Sequence, residues 1–246
     1  MRNISLLVAP TAALLAGCAS APPGALGTEQ ISQLHHQITD SLTPLSLAAN
    51  KDWLSGQVLL DITFNRQNQL LNCRAQSTSG AAGLVPVIER ACWANVFPPM
   101  PAQVFNDDGK TVVRMPVYFE MDSQTDPKRR AYFDGVIFPM FSQGQYFWDN
   151  GISKVAFSSV GQAQLRYVAD REGRVLTCNA VISPVDSRKD EFVQSPQLVS
   201  HLNATCLKMN LAQMPGFAVG NNGLAAGTVW TAYSPWRKTA PKARDY

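Results

Sequence analysis

The sequence predicts an α+β protein with two copies of one small unit, each holding a short antiparallel sheet and one packed helix. The first observation is an internal repeat, in which eleven positions recur in order, first at an offset of 105 residues and then at 114. They are Gly56, Gln57, Leu60, Arg66, Leu71 and Cys73 at the first offset, and Leu84, Val85, Cys92, Met100 and Pro101 at the second. Chance recurrence is the alternative, but the preserved order and the single length change favour a duplication.

The second observation is the hydrophobic pattern of the first copy, which predicts the order β-β-α-β. Residues 58–64 alternate and are rich in branched and aromatic side chains, and a polar turn at 65–69 separates them from a second extended run, 70–77. Apolar residues then recur at helical spacing over 84–92, ahead of prolines that end the helix. A final strand is predicted at 112–121.

The second copy shows the same pattern. Strands are predicted at 163–169 and 175–182, on either side of a turn at Asp170-Arg171-Glu172-Gly173. A helix follows, and the last strand is predicted at 228–234. The additional residues of this copy fall in the polar stretch 183–196.

The repeat also predicts how four of the five cysteines pair. Cys73 and Cys178 lie on the second strand of each copy, and Cys92 and Cys206 lie on the helix that would cover it. A bridge within each copy would join sheet to helix and stabilise it by roughly 3 kcal/mol in the chain-entropy model. A zinc site is the alternative, but no close Cys-x-x-Cys pair is present, and no metal site is predicted.

The fifth cysteine, Cys18, ends a lipoprotein-type signal. Arg2 precedes an apolar run at 4–15, and small residues lead to the cysteine in Leu15-Ala16-Gly17-Cys18. A plain secretory signal or a membrane span is the alternative, but about a dozen apolar residues are too few to cross a bilayer. We expect cleavage before Cys18 and lipidation of its side chain. Because Ala19 follows instead of an aspartate, the expected location is the outer membrane, facing the periplasm.

Four motifs follow one another between Gly56 and Met121. They are Gly56-Gln57-Val58-Leu59-Leu60-Asp61-Ile62-Thr63-Phe64, Ser77-Thr78-Ser79-Gly80, Phe97-Pro98-Pro99-Met100-Pro101 and Val113-Arg114-Met115-Pro116-Val117-Tyr118-Phe119. In this order they resemble the C-terminal domain of TonB energy transducers. The second copy resembles that family more weakly, because it lacks the Ser-Gly signature. The resemblance implies periplasmic modules that bind protein partners by adding a partner's strand to a sheet edge.

The resemblance also sets the expected domains. They are a signal peptide at 1–17, a leader at 18–27, a TonB-C-like domain at 28–121, a linker at 122–131, a second such domain at 132–236 and a basic tail at 237–246. The chain shows neither the uncleaved inner-membrane helix nor the long proline-rich span of a TonB transducer. The resemblance therefore implies docking rather than energy coupling. A helix is also expected at 29–41, ahead of the first predicted strand.

Proline in the last strand of the first copy indicates which edge could bind a partner. Pro116 has no N–H to donate, so this strand is expected at the border of the sheet, where strand addition takes place. The same proline is equally consistent with protection of the border against unwanted pairing. The predicted partner-binding edge consists of Val113, Met115, Val117, Tyr118 and Phe119.

The remaining features exclude several function classes. Seven aromatic residues lie between Tyr132 and Trp148, and they either pack a core or the seam between copies, or form a ligand surface. His35, His36 and His201 lie in no metal-binding motif, and no nucleophile elbow or phosphate-binding glycine loop is present. A net charge of +3 is too small to indicate nucleic-acid binding. We expect no cofactor and no enzymatic activity.

These features together predict a lipid-anchored envelope protein that binds another envelope protein through two disulfide-linked modules. A structural accessory subunit of an envelope transport or secretion assembly is the first alternative. A small-ligand carrier or an enzyme that uses the aromatic segment is the second.

Overall fold

The computed structural model describes residues 26–78, 80–120 and 126–238. The predicted signal peptide, Cys18, most of the leader, part of the linker and most of the basic tail lie outside these residues. Within them, no helix combines the length and the apolar composition needed to cross a bilayer. The helices are α1 Thr28–Ala49, α2 Leu84–Ala94, α3 Pro127–Tyr132, α4 Phe138–Asn150 and α5 Pro196–Leu207; the strands are β1 Gly56–Asn65, β2 Leu70–Ser77, β3 Lys110–Phe119, β4 Gly161–Ala169, β5 Val175–Ser183 and β6 Ala225–Tyr233.

The strands form two separate antiparallel sheets with the same topology, which confirms the predicted α+β class. Their strand orders are β2-β1-β3 and β5-β4-β6, so the first strand of each copy is central. Alternate β1 residues from Val58 to Phe64 are buried, because period-two alternation places them all on the face that the helices cover. We call residues 28–120 module 1 and residues 127–234 module 2.

The hairpin turns of the two modules use the same backbone conformation. Asn68 has φ +58° in the first turn, and Gly173, 105 residues later, has φ +82° in the second. Glycine adopts this left-handed conformation without steric cost, and asparagine is among the few other residues that tolerate it. The second hairpin is therefore the clearer signal in the sequence, although both turns have the same form.

Each module packs two helices against its sheet, where one was predicted. In module 1, Leu34, Ile38 and Leu42 place one apolar stripe of α1 in the core beside α2. In module 2, α4 packs along β6 and places Phe147 and Trp148 in the core, whereas α5 packs against β5. The helix expected at 29–41 therefore packs into the core of module 1, and it continues past Pro44 to Ala49.

The aromatic segment is helical and mainly fills space inside the protein. A π-helical turn at Phe133–Ile137 joins α3 to α4, so the second part of the expected linker is already helical. Phe147 and Trp148 are fully buried in the core of module 2. Phe138 meets Trp53 of module 1 edge-to-face, with ring centroids 5.4 Å apart. The packing interpretation of this segment therefore holds for most of its rings, whereas Tyr132 is exposed.

One buried arginine joins the two modules. Arg188 follows β5, and its Nε and Nη2 donate to the carbonyls of Phe97 and Asn68 in module 1, each at 2.6 Å. Its Nη1 donates to the Glu191 carboxylate at 2.9 Å, and its guanidinium lies over the Trp236 ring. Burial lowers the pKa of Arg188 and Glu191 opposes this effect. Trp236 also packs against the core of module 1, although it ends the second predicted domain.

Candidate functional site

The two predicted disulfides are present, and each joins the second strand of a module to the α-helix that follows that strand. Cys73 pairs with Cys92 and Cys178 with Cys206, with Cα atoms 6.1 Å apart in both bridges. The bridges therefore hold α2 against β2 and α5 against β5. These are the strands at one border of each sheet, and the bridges set the geometry of that border.

A helix side chain caps the border strand next to each bridge. The Ala75 N–H on β2 donates to Oε1 of Glu89 at 2.9 Å, and the Ala180 N–H on β5 donates to Oδ1 of Asn203 at 2.7 Å. The two caps occupy equivalent positions, since Ala75 and Ala180 are 105 residues apart and Glu89 and Asn203 are 114 apart. An amide that already has an acceptor is not a free donor for another strand. Both of these borders are therefore partly closed.

The outer border of β6 is closed in a different way. Helix α4 lies so near β6 that a Cβ on Gly144 would come within 2.6 Å of the Trp230 carbonyl oxygen. Two residues along the strand, the Ala232 carbonyl accepts a hydrogen bond from Nη1 of Arg237, which also donates to Oγ1 of Thr231 at 2.9 Å. Helix and arginine together occupy the position that an added strand would take.

The border of β3 differs in its first half. Lys110 turns both of its backbone groups to Asn106: its N–H donates to Oδ1 and its carbonyl accepts from the N–H, each at 2.9 Å. Backbone groups alternate in direction along an antiparallel strand, so those of Val112 and Arg114 also point away from β1. The Val112 side chain is 56% exposed and that of Arg114 is 63% exposed. This segment, Lys110–Arg114, is the β3 edge.

The second half of β3 is less accessible. Thr39, Leu42, Thr43 and Ser46 on α1 line a small gap together with Met115–Val117. Pro116 lies four residues after Val112, so its backbone nitrogen also points away from β1 and its missing N–H costs no hydrogen bond to that strand. This agrees with the predicted position of β3 at the border of the sheet. Helix α1 and Pro116 therefore limit the β3 edge to about the length of a short strand.

Most of the residues predicted for the partner-binding edge lie inside the module. Met115, Val117 and Phe119 are buried in its core, and Val113 packs partly against it. Tyr118 is half-buried, and its hydroxyl accepts a hydrogen bond from Nε2 of Gln57 at 3.2 Å. The backbone of these five residues belongs to the border strand, but the exposed side chains of β3 are those of Lys110, Val112 and Arg114, which the predicted edge did not include. The strand alternation around Pro116 was the signal that could have identified them.

The outer face of this sheet carries a row of charges. Arg114 donates to both carboxylate oxygens of Asp61, at 2.6 and 2.8 Å, and Arg74 lies opposite Asp61 on the other neighbouring strand. The hydrogen bond from Arg114 lowers the pKa of Asp61, whereas burial acts in the opposite direction. These three side chains together give the outer face of the sheet one net positive charge.

Metal-ligating side chains do not cluster in the part of the chain that the structure describes. The described residues contain no group of three or more His, Cys, Asp or Glu side chains that could hold a metal ion. His36 and His201 are exposed, and His35 is half-buried on α1. The chain was also compared with protein-family models, with curated proteins and with solved structures, and none of these matches it.

Proposed function

We propose that this chain is a lipid-anchored, periplasm-facing envelope protein of the bacterial outer membrane that binds another envelope protein by strand addition at the β3 edge. The observation that carries the proposal is the difference among the four sheet borders. Glu89 and Asn203 cap two of them, and α4 with Arg237 covers a third. On β3, Val112 and Arg114 turn their backbone groups away from the sheet at an exposed position.

Two further observations support the cellular location and the family. Two disulfides indicate an oxidising compartment, as the signal ending at Cys18 also does. Each module contains the β-β-α-β order that the resemblance to TonB C-terminal domains implies. The additional leading helices, α1 and α4, are features of these modules that the resemblance did not predict.

Site-specific photocrosslinking in intact cells tests the proposal. A photoreactive residue at Val112 is expected to capture one envelope protein through an extended segment of that protein. Leu176 on β5 is the matched control, because it is 52% exposed and also lies on a border strand, but on one whose border Asn203 caps. Equal capture of the same protein from both positions would contradict binding at the β3 edge.

A proline variant separates backbone pairing from side-chain contact. Val112→Pro removes an N–H that points away from β1, so the module is expected to keep its fold and its disulfide. Binding by strand addition requires that N–H, and crosslinking from a reporter at Arg114 should therefore be lost. Undiminished crosslinking in a folded Val112→Pro protein would show that the partner does not pair with β3.

The structural-accessory alternative is favoured by Arg188. This side chain fastens the modules into one unit, as a subunit that supports an envelope transport or secretion assembly would need. Under this alternative, Arg188→Met would release the chain from its assembly, whereas Val112→Pro would leave it in place. Strand addition predicts that Val112→Pro has the larger effect.

A further inference from the structure

A cleft of about 370 Å³ lies between the two modules, away from the β3 edge. Leu45 of α1 lines its module 1 side, and Met140 and Phe141 of α4 with Trp230 of β6 line its module 2 side. Met140 and Trp230 remain 45% and 40% exposed. Small-molecule sites occur preferentially at domain interfaces, and volumes of about 300–1,000 Å³ are typical of them. The size, position and apolar walls of the cleft match such a site.

The cleft has one charged side chain among the described residues that line it, Arg237. Its guanidinium is held in place from two directions: Nη1 donates to Thr231 Oγ1 and the Ala232 carbonyl, and the Trp148 ring lies beneath it at 4.0 Å. Burial lowers the pKa of Arg237 to about 9, opposed by Asp149, so the group stays cationic at neutral pH. A fixed cation at an apolar cleft provides charge complementarity for an anion.

We propose that this cleft binds an amphipathic anion, a linear acyl chain that carries one carboxylate or phosphate group. The acyl chain would lie against Leu45, Met140, Phe141 and Trp230 and bury the two half-exposed side chains. The anionic group would lie at Arg237, since guanidinium groups bind carboxylate and phosphate oxygens with strong, charge-assisted hydrogen bonds. This ligand site is separate from the partner site, and it places the ligand where both modules touch it.

Calorimetry with the full purified chain tests this inference. Decanoate is expected to bind, whereas 1-decanol and decyltrimethylammonium, which share its alkyl chain but not its charge, should bind at least about tenfold more weakly. Co-sedimentation with phosphatidylglycerol vesicles, against phosphatidylcholine vesicles, tells a membrane phospholipid from a free fatty acid as the source of the anion. Binding to neither decanoate nor phosphatidylglycerol would overturn the proposal.

Two variants locate the site independently. Arg237→Gln should weaken decanoate binding by about tenfold, and Arg171→Gln, on an exposed turn, should leave it unchanged. Because Arg237 also caps β6, Met140→Trp provides a second route: it fills the mouth of the cleft from a half-exposed position and should abolish binding in a stable protein. Binding within about twofold of the original chain in either folded variant would refute the site. Binding of 1-decanol as tight as that of decanoate would refute the role of the charge.

Discussion

Replacement of Arg188 by methionine is expected to lower the stability of the whole protein, because this side chain makes two hydrogen bonds from module 2 to module 1. Methionine has a similar length and flexibility, so the substitution removes hydrogen bonds without opening a large cavity. It leaves two acceptors of module 1, the carbonyls of Phe97 and Asn68, without their donor. It also leaves the Glu191 carboxylate without its cation.

The structure sets the magnitude. An orphaned buried acceptor costs about 1–3 kcal/mol. The Phe97 carbonyl is in a buried contact, whereas the Asn68 carbonyl is only partly buried and water can replace its donor, so the two costs lie at opposite ends of that range. The loss of a buried cation offsets part of the sum, because its desolvation is no longer required. We expect a net loss of about 3 kcal/mol, or about 6–12 °C in Tm for a chain of this size.

Thermal and denaturant unfolding, followed by circular dichroism and tryptophan fluorescence, measure the effect. Arg171→Met is the control, because Arg171 lies on an exposed turn of the same module. Arg188→Lys keeps the charge but loses the fork that reaches two carbonyls, so it should fall between the two. If Arg188→Met unfolds within about 0.5 kcal/mol of Arg171→Met, Arg188 does not couple the modules as argued.

Three further predictions concern the packing of each module. Gly144→Ala should lower the free energy of unfolding by about 1–3 kcal/mol, because the added Cβ would meet the Trp230 carbonyl. Gly135→Ala is the control: its Cβ would lie in open space, so the substitution should be neutral or slightly stabilising. The unfolding midpoints of the two variants measure the difference. Glu89→Ala should accelerate amide hydrogen exchange at the β2 border, and unchanged exchange would show that the cap is not formed in solution. The pKa of Asp61 in the folded protein lies below its ordinary value of 3.8, so the ionised carboxylate stabilises the fold above pH 3.8. This stabilisation is lost as the pH falls through the folded pKa. Arg114→Gln should raise the pKa of Asp61, as measured by a carboxyl NMR titration.

Local patterns were sufficient to predict most elements of the fold. The predicted second strand of module 1 has the observed bounds, Leu70–Ser77, because alternation and a polar turn define both of its ends. The disulfides followed from the repeat alone, since equivalent cysteines must occupy equivalent places in two copies of one fold. In each case the determining interactions are close in sequence or repeated in it.

Long-range packing explains what the sequence did not reveal. Proline is a helix-stop signal, yet α1 continues through Pro44 because tertiary packing of Leu42 and Ala48 outweighs local propensity. Arg188 is separated from Phe97 by 91 residues, so no local pattern marks it as a contact between modules. The two side chains that cap the border strands could be predicted only in part. Glu89 and Asn203 differ in identity, but they occupy equivalent positions and each accepts a hydrogen bond from the backbone N–H of an equivalent alanine.

The two copies differ most where the proposed functions require it. Trp230 of β6 and Pro116 of β3 are equivalent, 114 residues apart, and both lie on the last strand of their module. In module 2 the leading helix, α4, lies against the Trp230 carbonyl, and β6 lines the cleft next to Arg237. This border therefore serves contacts within the chain. In module 1 the leading helix lies beside the Met115–Val117 part of the strand, whereas Val112 and Arg114 in the preceding part remain exposed. If one border has come to serve contacts within the chain and the other to bind a partner, Val112→Pro should impair partner binding. Arg237→Gln should weaken ligand binding in the cleft and leave partner binding intact.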